Sequence, residues 1–307
     1  MLPIAGKSSS KSDKKANDSA KNQGSSAPDF TIAGNKVHFI SLGCPRNLVD
    51  TEVMLGLLLK AGYEIAESLP TADFIIINTC GFLEASRKES LDTIKESLKE
   101  KKASAKVIAT GCMVQTHSDV IRTECPDIHY LVGSGDVPKV LNAVESEVQG
   151  EAITTAKSYL EMGEVPRQVS TPRHFAYLKI AEGCRKRCAF CIIPNIKGPL
   201  KSKPEAQVTK ELKILLDNGA KEIVLIAQDL GDWGKDAGFS QSQGLVHLLR
   251  QVLETEKRDF WLRLLYLYPD EISDELIQLM KEDKRICHYL DMPIQHVNSD
   301  LLKSMRR

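Results

Sequence analysis

The chain has 307 residues, of which 42% are apolar, and its 41 basic residues balance 41 acidic ones. A chain of this length and composition can bury more than one core, which excludes global disorder. Nucleic-acid binding relies on neutralising phosphates, so the zero formal charge means that direct nucleic-acid binding is not expected.

The cysteines are expected to stay reduced. No apolar run approaches the ~18 residues that a membrane span needs. The first residues lack the apolar core of a secretory signal, so a cytoplasmic location is expected. In a reducing compartment the eight cysteines predict metal binding or catalysis rather than disulfides.

The chain is expected to contain a tail, two α/β domains and a linker. Residues 1–34 are polar and predict a disordered tail. Strands alternating with helices over residues 35–150 predict a Rossmann or flavodoxin-like parallel α/β domain. Residues 151–172 contain glycine and proline and predict a linker. Four more strand–helix units in residues 173–307 predict a partial TIM-like βα barrel.

Eight strands are predicted from short apolar runs bounded by turn residues. They are Val37–Ser41, Phe74–Asn78, Val107–Thr110 and His129–Val132 in the first domain, then Phe175–Ile180, Glu222–Gln228, Phe260–Leu265 and His288–Asp291 in the second.

Three cysteines spaced C-x3-C-x2-C follow the strand predicted at Phe175–Ile180. Cys184, Cys188 and Cys191 crowd three thiolates into one loop, which suits an iron–sulfur cluster because cysteine sulfur holds its irons. No fourth cysteine follows closely, so one iron of a four-iron cluster is predicted to stay open for chemistry. The alternative, a structural zinc loop, needs four closed ligands.

A second group of three cysteines is spread along the first domain. Cys44, Cys80 and Cys112 each follow a predicted strand, and parallel strands end at the same edge of a sheet. The pattern predicts a second metal cluster with three protein ligands. The alternative is that each cysteine is a small buried hydrophobe. Cys125 and Cys287 lack this placement and are expected in the core.

The spacing C-x3-C-x-aromatic-C after the first strand of a βα barrel resembles the radical-SAM signature. The resemblance implies that a 4Fe–4S cluster on Cys184, Cys188 and Cys191 binds S-adenosylmethionine at its open iron, and that one electron then cleaves it to a radical. It also implies that Phe190 lies near the adenine, with packing in the barrel as the alternative.

Together, the two groups of cysteines resemble the radical-SAM methylthiotransferase family over most of the chain. This resemblance implies a second 4Fe–4S cluster on Cys44, Cys80 and Cys112, which supplies sulfur, and a second S-adenosylmethionine, which supplies the methyl group. It implies an electron donor as a partner and no catalytic residues beyond the cluster ligands.

Three stretches after predicted strands resemble the RimO-type branch of that family. They are Ala227–Gly234, Arg263–Pro269 and Asp291–His296. The resemblance implies that the substrate is an aspartate β-carbon on the twelfth protein of the small ribosomal subunit, and a tRNA adenosine is the alternative. Polar side chains in these stretches are candidate contacts to S-adenosylmethionine or substrate, or else order loops; they are Gln228, Asp229, Arg263, Gln295 and His296.

Family members have a longer barrel and a small β-rich TRAM domain. The chain resembles a C-terminally truncated member and is therefore expected to bind clusters but to methylthiolate poorly. A non-catalytic iron–sulfur protein for electron transfer or sensing is the alternative of another class. It is disfavoured because simple electron carriers favour four cysteine ligands.

Overall fold

The computed structural model describes residues 35–154, 158–240 and 243–307, so the tail expected over residues 1–34 lies outside its described part. Within the described residues, the first domain contains a parallel sheet in the order β2-β1-β3-β4-β5-β6. Its strands are β1 (Lys36–Ser41), β2 (Glu64–Ile65), β3 (Phe74–Thr79), β4 (Lys106–Gly111), β5 (Tyr130–Gly133) and β6 (Gly150–Ala152). The order of the first five strands is flavodoxin-like, which confirms the predicted fold class.

Helices cover both faces of this sheet, so β3 is buried along its whole length. The helices are α1 (Pro45–Lys60), α2 (Glu84–Glu100), α3 (Cys112–Glu124) and α4 (Val140–Glu145). Ile76 packs on the side of α1 and α4, whereas Ile75 and Ile77 pack on the side of α2 and α3. This alternation is the period of two along a strand, which in this sheet separates two apolar cores.

The second domain contains a parallel sheet in the order β12-β11-β10-β7 and a two-stranded antiparallel pair, β8 with β9. Its strands are β7 (Phe175–Lys179), β8 (Ala181–Glu182), β9 (Lys201–Ser202), β10 (Glu222–Ile226), β11 (Trp261–Leu264) and β12 (Ile286–Leu290). Its helices are α5 (Ile193–Lys197), α6 (Glu205–Asp217), α7 (Gln243–Thr255), α8 (Asp274–Glu282) and α9 (Ser299–Ser304). None of the described helices has the length and apolar character needed to cross a membrane.

The eight predicted strands are present, and the differences lie in short elements. β6 lies at the start of the segment that was predicted to be a linker. The prediction missed this strand because its three residues carry no apolar pattern and form a strand only by pairing with β5. The ring of Tyr130 packs where a side chain on Gly150 would lie, at 2.5 Å from its Cβ position. Helix α3 begins at Cys112, and non-helical dihedral angles at His117 interrupt its periodicity.

The segment before β7 joins the two domains across α1. A Cβ atom on Gly56 would lie 2.6 Å from the backbone of Pro166, so glycine is required where the segment crosses the helix. The side chain of Arg167 donates to the buried carboxylate of Glu52 at 2.6 Å and to Glu211 of α6 at 2.6 Å. Helix α1 is therefore packed against both domains.

Candidate functional site

The first three predicted ligands, Cys44, Cys80 and Cys112, lie together at the carboxyl edge of the first sheet; we call them the N-terminal site. Cys44 lies three residues after β1, Cys80 directly follows β3, and Cys112 directly follows β4. In flavodoxin-like sheets a ligand crevice opens between β1 and β3, where the strand order reverses. Cys44 and Cys80 flank that crevice.

The turns of the N-terminal site contact one another through glycines. A Cβ on Gly43 would lie 3.1 Å from the sulfur of Cys80. A Cβ on Gly81 would lie 2.9 Å from the carbonyl carbon of Cys112. Side chains at these two positions would therefore push the cysteine-bearing turns apart.

Two buried polar side chains fix the backbone around these cysteines. The amide of Asn47 donates to Leu42 O at 3.1 Å and to Thr79 O at 3.0 Å, and its Oδ1 lies 3.4 Å from the sulfur of Cys112. The hydroxyl of Ser90 accepts from the Cys80 N–H at 3.0 Å. Asn47 thus connects the ends of β1, β3 and β4 at the site.

The thiols of the N-terminal site differ in acidity. Burial opposes ionisation of Cys44, yet the charge of Arg46 and the backbone N–H of Asn47 hold the pKa of Cys44 below its usual value. Burial raises the pKa of Cys112 to about 11. Because a metal ligand must be a thiolate, metal binding at this site releases protons, and it releases one more readily from Cys44 than from Cys112.

The second set, Cys184, Cys188 and Cys191, forms the barrel site in the loop between β8 and α5. The N–H of Cys184 donates to Gly198 O at 3.1 Å, and the N–H of Cys191 donates to Cys188 O at 3.1 Å. Burial is the largest influence on Cys184 and raises its pKa to about 11. These backbone hydrogen bonds turn the loop that carries the three thiols of the barrel site.

Tyr268, which the sequence analysis did not single out, belongs to the barrel site. Its hydroxyl lies 2.7 Å from the sulfur of Cys188. Lys186 Nζ lies 3.4 Å from the centre of its ring, and the Arg307 guanidinium lies 3.6 Å from it. Burial and the bond to Cys188 raise the pKa of Tyr268 above its usual value. The signals in the sequence were its place in the stretch Arg263–Pro269 and its position shortly after a barrel strand.

Three buried carboxylates lie beside the barrel site. Asp229 is one of the predicted contact residues, whereas Asp232 and Glu271 were not singled out. Ligand oxygens of Asp229, Asp232 and Glu271 lie within 4.8 Å of one another. Lys186 lies 2.7 Å from Asp229, and Lys235 is ion-paired with Asp232 at 2.9 Å and with Glu271. Asp229 and Asp232 influence the pKa of Cys184, which places this acidic group next to the cysteine loop.

The other predicted contact residues have different surroundings. Gln228 follows β10, donates to Glu182 at 3.4 Å and keeps its buried Oε1 without a hydrogen-bond partner. Phe190 is 51% exposed in the cysteine loop. Arg263 is ion-paired with Glu222, the first residue of β10, which lies at the amino end of the strand.

Gln295 is exposed, with a left-handed φ of 62°. Cys125 is buried in the core of the first domain as expected. Cys287 is only half-buried, so its expected core position is wrong. Cys287 lies on β12, where the two residues that follow it are exposed. The apolar pattern of this strand therefore did not predict its burial correctly.

The N-terminal site and the carboxyl edge of the second sheet lie against each other. Arg46, two residues after Cys44, donates to Ala227 O at 2.9 Å. Its guanidinium carbon lies 4.9 Å from the centre of the Tyr266 ring. Ala227 follows β10 and Tyr266 follows β11, so one side chain connects the two functional edges.

The sulfur positions test what these sites can hold. Around a single zinc, with Zn–S distances of about 2.3 Å, tetrahedral sulfurs lie roughly 4 Å apart. Among the described residues, neither cysteine set has all its sulfurs within 4.8 Å of one another. Cysteines that bind different irons of one cluster lie farther apart than those around one ion. The all-sulfur donor sets therefore fit iron–sulfur clusters better than single ions.

Family models match both halves of the chain. Residues 36–133 match the model described as "Uncharacterized protein family UPF0004". Residues 178–307 match the radical SAM superfamily. The first match covers the strands and turns of the N-terminal site, and the second covers the barrel site.

Curated relatives match nearly the whole chain. The chain is 63% identical, over 311 residues, to the ribosomal protein uS12 methylthiotransferase RimO of Protochlamydia amoebophila, covering 100% of this chain and 65% of that protein. It is 59% identical to the protein of that name from Chlamydia abortus, covering 89% and 59%. It is 42% identical to the one from Bdellovibrio bacteriovorus, covering 90% and 62%. The chain thus spans less than two thirds of the length of these relatives.

Solved structures share the fold at low identity. The radical S-adenosylmethionine methyltransferase TsrM from Kitasatospora setae superposes with a TM-score of 0.61 at 14% identity, covering 89% of this chain and 61% of that one. The cobalamin-dependent S-adenosylmethionine radical enzyme OxsB superposes with a TM-score of 0.56 at 12% identity, covering 88% and 45%. These similarities support the α/β architecture of both domains.

Proposed function

Because this chain belongs to the RimO-type branch of the radical-SAM methylthiotransferase family, we propose that it is part of an enzyme that methylthiolates ribosomal protein uS12. The observation that carries the proposal is the pair of three-thiol sites on adjoining carboxyl edges, connected by Arg46. The target is an aspartate β-carbon, and a cytoplasmic electron donor is a further partner.

Each site holds one 4Fe–4S cluster through three cysteines. When bound, the cluster of the barrel site supplies an electron to cleave S-adenosylmethionine, and that of the N-terminal site supplies sulfur. The division into domains at residues 35–150 and 173–307, with a linker between them, is part of this proposal.

The chain's own residues offer polar contacts for S-adenosylmethionine beside the barrel site. Buried carboxylates such as Asp229 can accept hydrogen bonds from an ammonium group, and Gln228 has a buried oxygen without a hydrogen-bond partner. Burial raises the pKa of Asp229, and Lys186 opposes that rise. Phe190, Arg263 and Gln295 remain proposed contacts to nucleotide or substrate.

Iron analysis tests the two sites separately. Anaerobically reconstituted chain should hold about eight irons, and Cys80→Ala and Cys184→Ala should each lose about half of them. Cys287→Ala is the matched control, because Cys287 is a half-buried cysteine outside both sites, and it should lose none. Iron that is unchanged in Cys80→Ala would contradict the N-terminal site.

Substrate assays test the reaction. The chain, S-adenosylmethionine and a strong reductant are incubated with uS12 or with tRNA. This chain is expected to react in low yield. Any methylthio group that mass spectrometry finds should lie on uS12 alone, and it should be absent after Cys184→Ala. Modified tRNA, with unmodified uS12, would favour the other branch.

A further inference from the structure

A buried lysine of the second domain lies against the N-terminal site. Lys197, the last residue of α5, is 6% exposed. Its Nζ lies 3.0 Å from Asp50 Oδ2 and 3.3 Å from the backbone oxygen of Ser134. Both partners belong to the first domain, so the ammonium of Lys197 crosses the domain boundary.

Both partners of Lys197, Ser134 and Asp50, lie in segments that adjoin Cys112. Gly111 pairs with Gly133 across β4 and β5, so Cys112 and Ser134 follow neighbouring strand ends. Asp50 lies about one helical turn along α1 from Asn47, whose Oδ1 lies 3.4 Å from the sulfur of Cys112. Burial is the main cause that raises the pKa of Cys112, and the charge of Lys197 opposes that rise, so the ammonium lies near this cysteine.

The charges around Lys197 are balanced and fixed. Asp50 is also ion-paired with Lys179, and Glu182 lies 2.6 Å from Lys179 and 3.3 Å from Lys197. The four side chains are almost completely buried. Water screens such a group weakly, so its individual charges act strongly on neighbours.

We propose that Lys197 sets the reduction potential of the cluster in the N-terminal site, with Asp50 as its counter-charge. The inference rests on the proposed function, because it requires a cluster on Cys44, Cys80 and Cys112. Net charge near an iron–sulfur cluster is one of the properties that set its potential. A nearby cation favours the reduced, more negative state, and a nearby anion disfavours it.

The test measures reduction potentials in a Cys184→Ala background, in which the cluster of the N-terminal site is the only cluster expected. Lys197→Met should move the midpoint to more negative values, and Asp50→Asn should move it to more positive values. We expect changes on the order of tenfold in the ratio of reduced to oxidised cluster at fixed potential, or about 59 mV for one electron. EPR-monitored redox titration measures both.

Each variant leaves the other charges paired. Asp50 keeps Lys179 when Lys197 is replaced, and Lys197 keeps Glu182 when Asp50 is replaced. Lys203→Met is the matched control, because Lys203 is a buried lysine of the second domain that is ion-paired with Glu211. It should leave the midpoint unchanged.

Opposite shifts in the two variants support the inference, because a loosened structure alone would move both midpoints the same way. Unchanged midpoints, or shifts of one sign, would overturn it and leave the proposed function intact. A Cys184→Ala protein without any cluster signal would overturn the N-terminal site and this inference together.

Discussion

Gly183 shows how closely the barrel site depends on its backbone. This residue precedes Cys184 and has a left-handed φ of 73°. A Cβ at this position would lie 2.0 Å from the backbone oxygen of Pro199. The cysteine loop therefore begins at a position that excludes every side chain for two reasons, backbone strain and lack of space.

Comparing two alanine variants separates these reasons. Gly219 has a φ of 99° but nothing within 4 Å of its Cβ position. Gly219→Ala should cost only the strain, about 1–2 kcal/mol of unfolding free energy. Gly183→Ala should cost roughly 1–3 kcal/mol more and lower the iron content, because Pro199 must move. Urea denaturation and iron analysis measure both, and equal losses would mean that lack of space adds nothing at Gly183.

Acid stability depends in part on Glu256, at the end of α7. The Arg258 guanidinium is the main cause that lowers the pKa of Glu256 from 4.5 to about 2, against the effect of burial. A carboxyl whose folded pKa is lowered stabilises the fold above its unfolded pKa. That stabilisation disappears as the pH falls from about 4.5 to about 2.

Replacing Glu256 by glutamine should reveal this pH dependence. Because Arg258 is exposed and water screens the pair, Glu256→Gln should cost about 1 kcal/mol at pH 7, and the difference from the wild type should shrink towards zero as the pH falls to about 2. Urea titrations at several pH values measure it. The exposed neighbour Glu254 is the control, and Glu254→Gln should stay within about 0.5 kcal/mol throughout. A Glu256→Gln deficit that is independent of pH would mean that the ion pair with Arg258 does not cause the loss.

Among the elements, helix α1 supplies two buried acids to the contacts between domains. It begins directly after Cys44, and Asp50 and Glu52 in its second turn face the other domain. The carboxylate of Glu52 is 0% exposed and accepts from Arg167 and Ser170. A buried charge that loses its partner is strongly destabilising.

Removing the Arg167 guanidinium tests this role of α1. Arg167→Met should cost about 3–5 kcal/mol, because Glu52 would stay buried without a cation. Lys210→Met removes an exposed pair with Glu164 and should change stability by less than about 1 kcal/mol. Chemical denaturation of both variants is the measurement. Similar small costs would mean that Arg167 contributes packing alone.

The elements also show where sequence reasoning reached its limit. The eight longer strands were predictable, because apolar runs and turn residues are local signals. So was the grouping of Cys44, Cys80 and Cys112, since parallel strands share an edge. β2, β6, β8 and β9 have only two or three residues and depend on a partner strand. The positions of Tyr268 and Lys197, and the grouping of Asp229 with Asp232 and Glu271, arise from contacts between distant segments, which no local pattern encodes.

At the scale of the molecule, the two domains share an ionic core. Lys179 and Lys197 of the second domain meet Asp50 of the first, and Arg167 meets Glu52 a few residues on. Arg46 adds a contact at the carboxyl edges. Opening the interface would separate several buried charges from their partners at once.

We therefore expect the two domains to unfold together. The chain has two tryptophans, and both Trp233 and Trp261 lie in the second domain, whereas far-UV circular dichroism reports on both domains. The two signals should give one coincident urea transition. In an Asp50→Asn, Arg167→Met double variant the transitions should separate. Separate transitions in the wild type would show that the interface is weak.

The position of Asp50 and Glu52 on α1 has a consequence for recombination between homologous genes. A crossover between the two domains exchanges one side of the ionic core and keeps the other. A chimera is then expected to fold well only when both parents carry matching acids on α1 and matching bases beyond it. Inheritance of the N-terminal half is thus linked to inheritance of the barrel, although each half carries its own set of cysteines.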